Sequence, residues 1–134
     1  MSYSENLATE NERGALFMLG RLGLPTAAVA LGCHASGYGD AFAWLATIIA
    51  AADMFSLALN YRARDEFFDR LFLAGARWAL STLAVWASVV AMLTLFLRDT
   101  GLEPVAFLSD QMTTLSAVML AFFMGFNLAA WRNP

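Results

Sequence analysis

The chain has no lysine, one cysteine, one histidine and three prolines among 134 residues. Without a lysine amine, Schiff-base chemistry of the retinal or pyridoxal type is excluded. A lone cysteine forms no internal disulfide, so redox usage does not reveal the compartment. One histidine excludes bis-histidine haem ligation within a single chain. No HExxH, Walker A, GxSxG, CxxC or GxGxxG motif occurs, so nothing points to an enzyme. The eight basic residues are all arginine, the formal charge is −3, and no basic stripe exists. Nucleic acid is therefore not an expected partner. The sequence requires no cofactor, although bound lipid is compatible with it.

What the chain does contain is apolar surface. It is 60% hydrophobic and 14% charged, against roughly a quarter charged in soluble domains, and its mean hydropathy is +0.59. Four runs, residues 14–33, 40–60, 71–97 and 108–131, reach the ~20 residues that cross a ~30 Å hydrocarbon core as helix. The expected fold is an all-α, integral membrane four-helix bundle. A polar N-terminal segment, 1–13, precedes a four-span transmembrane domain, 14–134, and is expected as a short surface helix or as disordered chain. The first run ends Ala30-Leu31-Gly32-Cys33, which faintly resembles a lipoprotein cleavage site, but three glutamates ahead of Arg13 oppose a signal peptide.

Arginine placement sets the expected orientation. Arg13, Arg62, Arg64, Arg70 and Arg132 flank one side of the spans and Arg98 alone the other. Both termini are then expected in the cytoplasm, with the protein in the cell inner (cytoplasmic) membrane.

Each span carries a polar or small-residue signature. In the first, Pro25 removes the N–H that would pair with the Arg21 carbonyl, which predicts a kink. In the second, Asp53 shares a side with Ala46, Ala50, Ser56 and Asn60, opposite Trp44, Ile48, Phe55 and Leu59. Small and polar is expected to face neighbours, large and apolar to face lipid. The same rule turns Ala74, Arg77, Ser81, Ala84 and Ser88 of the third span inward, with Phe72, Leu83 and Trp86 across from them. In the fourth, Ala117, Ala121, Gly125 and Ala129 form a small-xxx-small seam suited to helix packing or to an oligomer face. Asn127, Ser116, Leu120 and Phe123 lie on its other side, and one of the two sides is expected to remain for another chain.

Between the spans, HASGYGD reads as a tight turn and a second turn is expected at Thr100-Gly101. Arg62 with Glu66, and Glu66 with Arg70, are four apart and predict helical ion pairs.

The constellation with most chemical content is Arg21, Asp53 and Arg77, at similar depth on three spans. An unpaired charge near the bilayer centre costs roughly 2.5–3.5 kcal/mol. Arginine escapes by snorkelling, whereas the short aspartate does not. Three readings follow: an ion-pair clamp that fixes helix register, a site for an anion or lipid headgroup, or a proton relay through Asp53. His34 is the one metal-ligand candidate, beside Cys33, but a metal site wants three or four ligands. The expected role is an oligomeric or accessory structural subunit of a larger membrane complex, whose partners are the bilayer and copies of itself or other membrane subunits. The alternative is a small oligomeric transporter or channel for an anionic solute, using the same charged layer.

Overall fold

A computed structural model describes residues 3–37, 40–59, 66–102 and 106–133, with side chains described from residue 10 and omitted at 106 and 107. All regular structure in it is helical: α1 (Tyr3–Ala35), α2 (Ala41–Leu59), α3 (Glu66–Arg98), the single turn α4 (Ala106–Ser109) and α5 (Gln111–Arg132). Four of these helices are long and apolar enough to cross a membrane. The polar segment 3–13 does not form a separate element but lengthens α1, which runs unbroken through Pro25. Near that proline the Thr26 hydroxyl donates to the carbonyls of Leu22 (2.9 Å) and Gly23 (3.0 Å).

Local chemistry fixes the helix ends. Gly37 adopts φ +79° and Gly101 φ +69°, left-handed conformations that glycine takes without a Cβ penalty. Asp40 accepts from the Ala43 N–H at 3.2 Å and caps α2. Asp110 caps α5 more completely, one carboxylate oxygen accepting from both the backbone N–H and the hydroxyl of Thr113 at 2.8 Å. Those donors hold its carboxyl below the usual range. Of the two expected ion pairs, Glu66–Arg70 forms at 2.7 Å on the surface. Arg62, Arg64 and Asn60 lie outside the described residues.

α5 is the hub. It packs along α1 on one side and α3 on the other, while α2 packs chiefly on α1. Phe122, Phe123 and Phe126 of α5 are buried with Leu16 and Ala27 of α1 and Phe68 and Leu71 of α3. Gly20 and Gly23 make room for this: a Cβ at either would run into the ring of Phe126 or Phe123. α2 meets the bundle with Ala43, Ala46, Thr47, Ala50 and Leu57 buried, and leaves Trp44, Ile48, Phe55 and Leu59 exposed. Ala46 and Ala50 follow the division read from the sequence, whereas Ser56, read on the same inward side, is exposed.

The third span reverses the expectation over most of its length, although Ala74 is half-buried against α5 and Leu83 is exposed as expected. Arg77, Ser81, Ala84 and Ser88 are exposed, whereas Phe68, Leu71 and Gly75 are buried and Phe72 and Trp86 half-buried. The reason is the seam it meets. Ala117, Ala121, Gly125 and Ala129 form a shallow trough along α5, and a trough takes bulky side chains. A Cβ on Gly125 would lie 2.7 Å from the Trp78 indole and 2.9 Å from the Ala74 carbonyl, and one on Gly75 2.8 Å from the Phe122 carbonyl. Of the small-residue stripe of α3, Ala74 meets α5 and Arg77, Ser81, Ala84 and Ser88 are left outside.

Candidate functional site

Asp53 sits on α2 six residues before its last helical residue, Leu59, or ~9 Å along the axis. Its residue is half-buried, and carboxylate Oδ2 is buried without any hydrogen-bond partner. Along the same edge of the helix Ile49, Ala52 and Ser56 are exposed, so the unpartnered carboxylate lies at the border between the packed face and the outside of the bundle.

Arg77 projects from α3 roughly 160° around the helix from Gly75, which packs against Phe122 of α5. Its neighbours Trp78 and Ala74 meet Gly125, seven residues before the end of α5 at Arg132, which sets a depth of ~10 Å. Counted along α2 and α5, Asp53 and Arg77 thus lie at comparable distances from the helix ends. They do not meet within the chain. Between α2 and α3 runs an apolar groove of about 350 Å³, with Met54, Phe55 and Ala58 on one wall, Ala76 and Leu80 on the other and Phe122 behind. Asp53 lies roughly 140° around α2 from Ala58, turned away from that groove.

Arg21 takes a third position. It lines a recess of about 490 Å³ with Phe17 of α1, Phe67 of α3, and Asn127, Ala130, Trp131 and Asn133 at the end of α5. Among the described residues no ion pair or hydrogen bond joins Asp53 to Arg21 or to Arg77.

Beside Arg21 is a residue whose importance sequence patterning missed. The Asn127 side-chain nitrogen donates to the Gly20 carbonyl of α1 at 2.8 Å and to the Phe123 carbonyl of its own helix at 2.8 Å. Both neighbours are acceptors, so the amide orientation is unambiguous. This bond ties α5 to α1 where glycine brings the backbones together. Its signal was present, a carboxamide inside an apolar run, but its target, a backbone carbonyl, has no sequence signature.

The seam residues Ala117, Ala121, Gly125 and Ala129 serve packing within the chain, and the opposite side of α5 is taken by α1. The expectation that one face of α5 stays free is thus corrected: the face without an internal neighbour belongs to α3.

At the far end of the bundle His34 Nε2 lies 2.9 Å from the Thr47 hydroxyl, which itself donates to the Ala43 carbonyl at 2.8 Å. The hydroxyl proton is spent on the carbonyl, so Nε2 carries a hydrogen and donates to Thr47. The ring also meets Trp44 edge-on at 6.3 Å. His34 thus joins α1 to α2. No group of three or more histidine, cysteine or carboxylate side chains is placed to hold a metal among the described residues.

No family model, curated protein or solved structure matches the chain.

Proposed function

We propose that the protein is a structural subunit of an oligomeric assembly in the cytoplasmic membrane, with both termini in the cytoplasm. The observation that carries this reading is the buried oxygen of Asp53 that accepts nothing. Water is absent at that depth of a bilayer, and aspartate is too short to reach the surface, so its partner belongs to another chain. A second copy brings the matching chemistry. Arg77 is exposed on the uncovered stripe of α3, at a depth comparable to that of Asp53 and on a different side of the bundle. Contact between the Asp53 edge of one copy and the Arg77 face of the next is heterologous, so it builds a ring when the rotation closes. The orientation rests on the arginine excess at the end that holds both termini.

Native mass spectrometry in mild detergent tests the proposal. The wild type is expected as a multimer, Asp53→Asn and Arg77→Gln each as a monomer, and the exchanged pair Asp53→Arg with Arg77→Asp as a multimer again. A wild type that is monomeric and free of other subunits contradicts the reading. Rapid modification of Asp53 by a water-soluble carbodiimide favours instead a wet path, and with it a channel or transporter for an anionic solute.

A further inference from the structure

We infer that the recess around Arg21 is a binding site for one phospholipid headgroup, of the kind whose phosphodiester carries a hydrogen-bond donor. This site is separate from the Asp53 layer and stands whether or not copies associate.

The argument starts from which polar atoms remain unused. Among the described residues Arg21 makes no hydrogen bond or ion pair, although its side chain lines the recess. Its guanidinium is always charged and presents donors in a fork that fits a phosphate. Asn127 has spent both amide hydrogens on the carbonyls of Gly20 and Phe123, so the atom it offers is its oxygen. Asn133 donates one side-chain N–H to the Ala129 carbonyl at 3.0 Å, so its amide keeps one N–H and its oxygen. The recess therefore combines one strong anion-binding group with the Asn127 acceptor and the mixed donor–acceptor amide of Asn133.

That combination discriminates. A bare inorganic anion leaves the Asn127 oxygen without a donor, and an amine or alcohol alone leaves the guanidinium without a counter-charge. A phosphodiester joined to an ammonium or a hydroxyl satisfies both, with phosphate on Arg21 and the donor on the Asn127 oxygen. The walls fit the same ligand. Phe17 and Phe67 meet with ring centroids 6.2 Å apart, and Trp131 stands 81% exposed beside them, offering faces to methylene groups. About 490 Å³ falls within the usual range of ligand sites.

Position supports a lipid over a soluble ester. The recess lies where α5 makes its last turn and α3 its first, the level at which interfacial tryptophans meet headgroups. Exposed apolar side chains such as Leu22 and Met18 flank it on α1, giving acyl chains a surface to follow.

The test uses the full chain, delipidated in detergent, and reads Trp131 fluorescence and retained lipid by native mass spectrometry. Three lipids with identical acyl chains are compared: phosphatidylethanolamine, phosphatidylglycerol and phosphatidylcholine, the last having the same phosphate and no donor. Glycerophosphoethanolamine and inorganic phosphate are the soluble probes. The first two lipids are expected to bind about tenfold more tightly than phosphatidylcholine, the size of one charge-assisted or well-made hydrogen bond lost. Arg21→Gln is expected to weaken all three lipids by about tenfold while leaving the preference for donor-bearing headgroups in place, and Arg21→Lys restores part of the affinity. Arg21 is exposed, so these substitutions leave the buried core unaltered. Equal binding of all three lipids, or retention unchanged by Arg21→Gln, would show an unspecific lipid shell and overturn the inference. Binding of the soluble ester as tight as that of the lipid would overturn the lipid assignment in favour of a free phosphate ester.

Discussion

α3 and α5 run side by side, and their surroundings could hardly differ more. Half of the apolar window of α5 is buried inside the chain, against none of that of α3, although α3 is the more hydrophobic of the two. Hydropathy thus measures fitness for the bilayer and says little about which helix is enclosed. What separates them is side-chain size. α5 presents glycine and alanine at every fourth position and lets neighbours come close; α3 supplies the knobs and leaves its outer face uncovered. In hydrocarbon there is no hydrophobic drive between helices, so close van der Waals fit and interhelical hydrogen bonds decide the packing.

That contrast is broken most severely at the hub. Phe123→Ala removes a fully buried ring that fills the space over Gly23, and a loss of about 3–5 kcal/mol is expected by detergent-melting measurements. Gly125→Val attacks the same helix from the other side. The added atoms collide with Trp78 and the Ala74 carbonyl, and about 1–3 kcal/mol is expected in the same assay. An unchanged melting point for either substitution would show that α5 is not the hub.

Smaller effects sharpen the comparison. Asp110→Ala removes the cap of α5 and is expected to cost about 1 kcal/mol. The carboxyl is held below its ordinary range, so this contribution is present above the unfolded pKa, about 3.9. It fades as pH falls through the lower folded value. The stability difference between wild type and Asp110→Ala should therefore shrink on acidification below pH 4; a difference that grows would reverse the sign. On α3, Met92→Ala alters a side chain 72% exposed. In detergent it should change melting by less than about 0.5 kcal/mol.

The contrast also explains which parts of the structure were legible in the sequence. Span positions follow from composition, and the sidedness of α2 follows from Ala46 and Ala50 against Ile48 and Phe55. The seam of α5 was visible as a four-residue repeat. The inner face of α3 was not, because a small-residue stripe and a bulky stripe are both sound interfaces until the partner is known. Arg21 illustrates the same point for the site. Depth could be counted along each helix, but rotation of one helix against another could not, and rotation is what sets Arg21 among Asn127, Phe67 and Trp131. Asp53 stood out because a charge inside an apolar run is conspicuous whatever the packing.

The central claim is that Asp53 finds its partner on a neighbouring chain, and cross-linking between copies reads this most directly. In a Cys33→Ser background, Ile49→Cys lies one turn from Asp53 and Ser81→Cys one turn from Arg77, both at exposed positions and both displaced toward the same end of the bundle. Mixed and co-reconstituted, the two single-cysteine proteins should yield a disulfide-linked dimer on mild oxidation, and neither alone should do so. Failure of the mixture to cross-link, or a link formed only within one chain carrying both cysteines, would contradict the account.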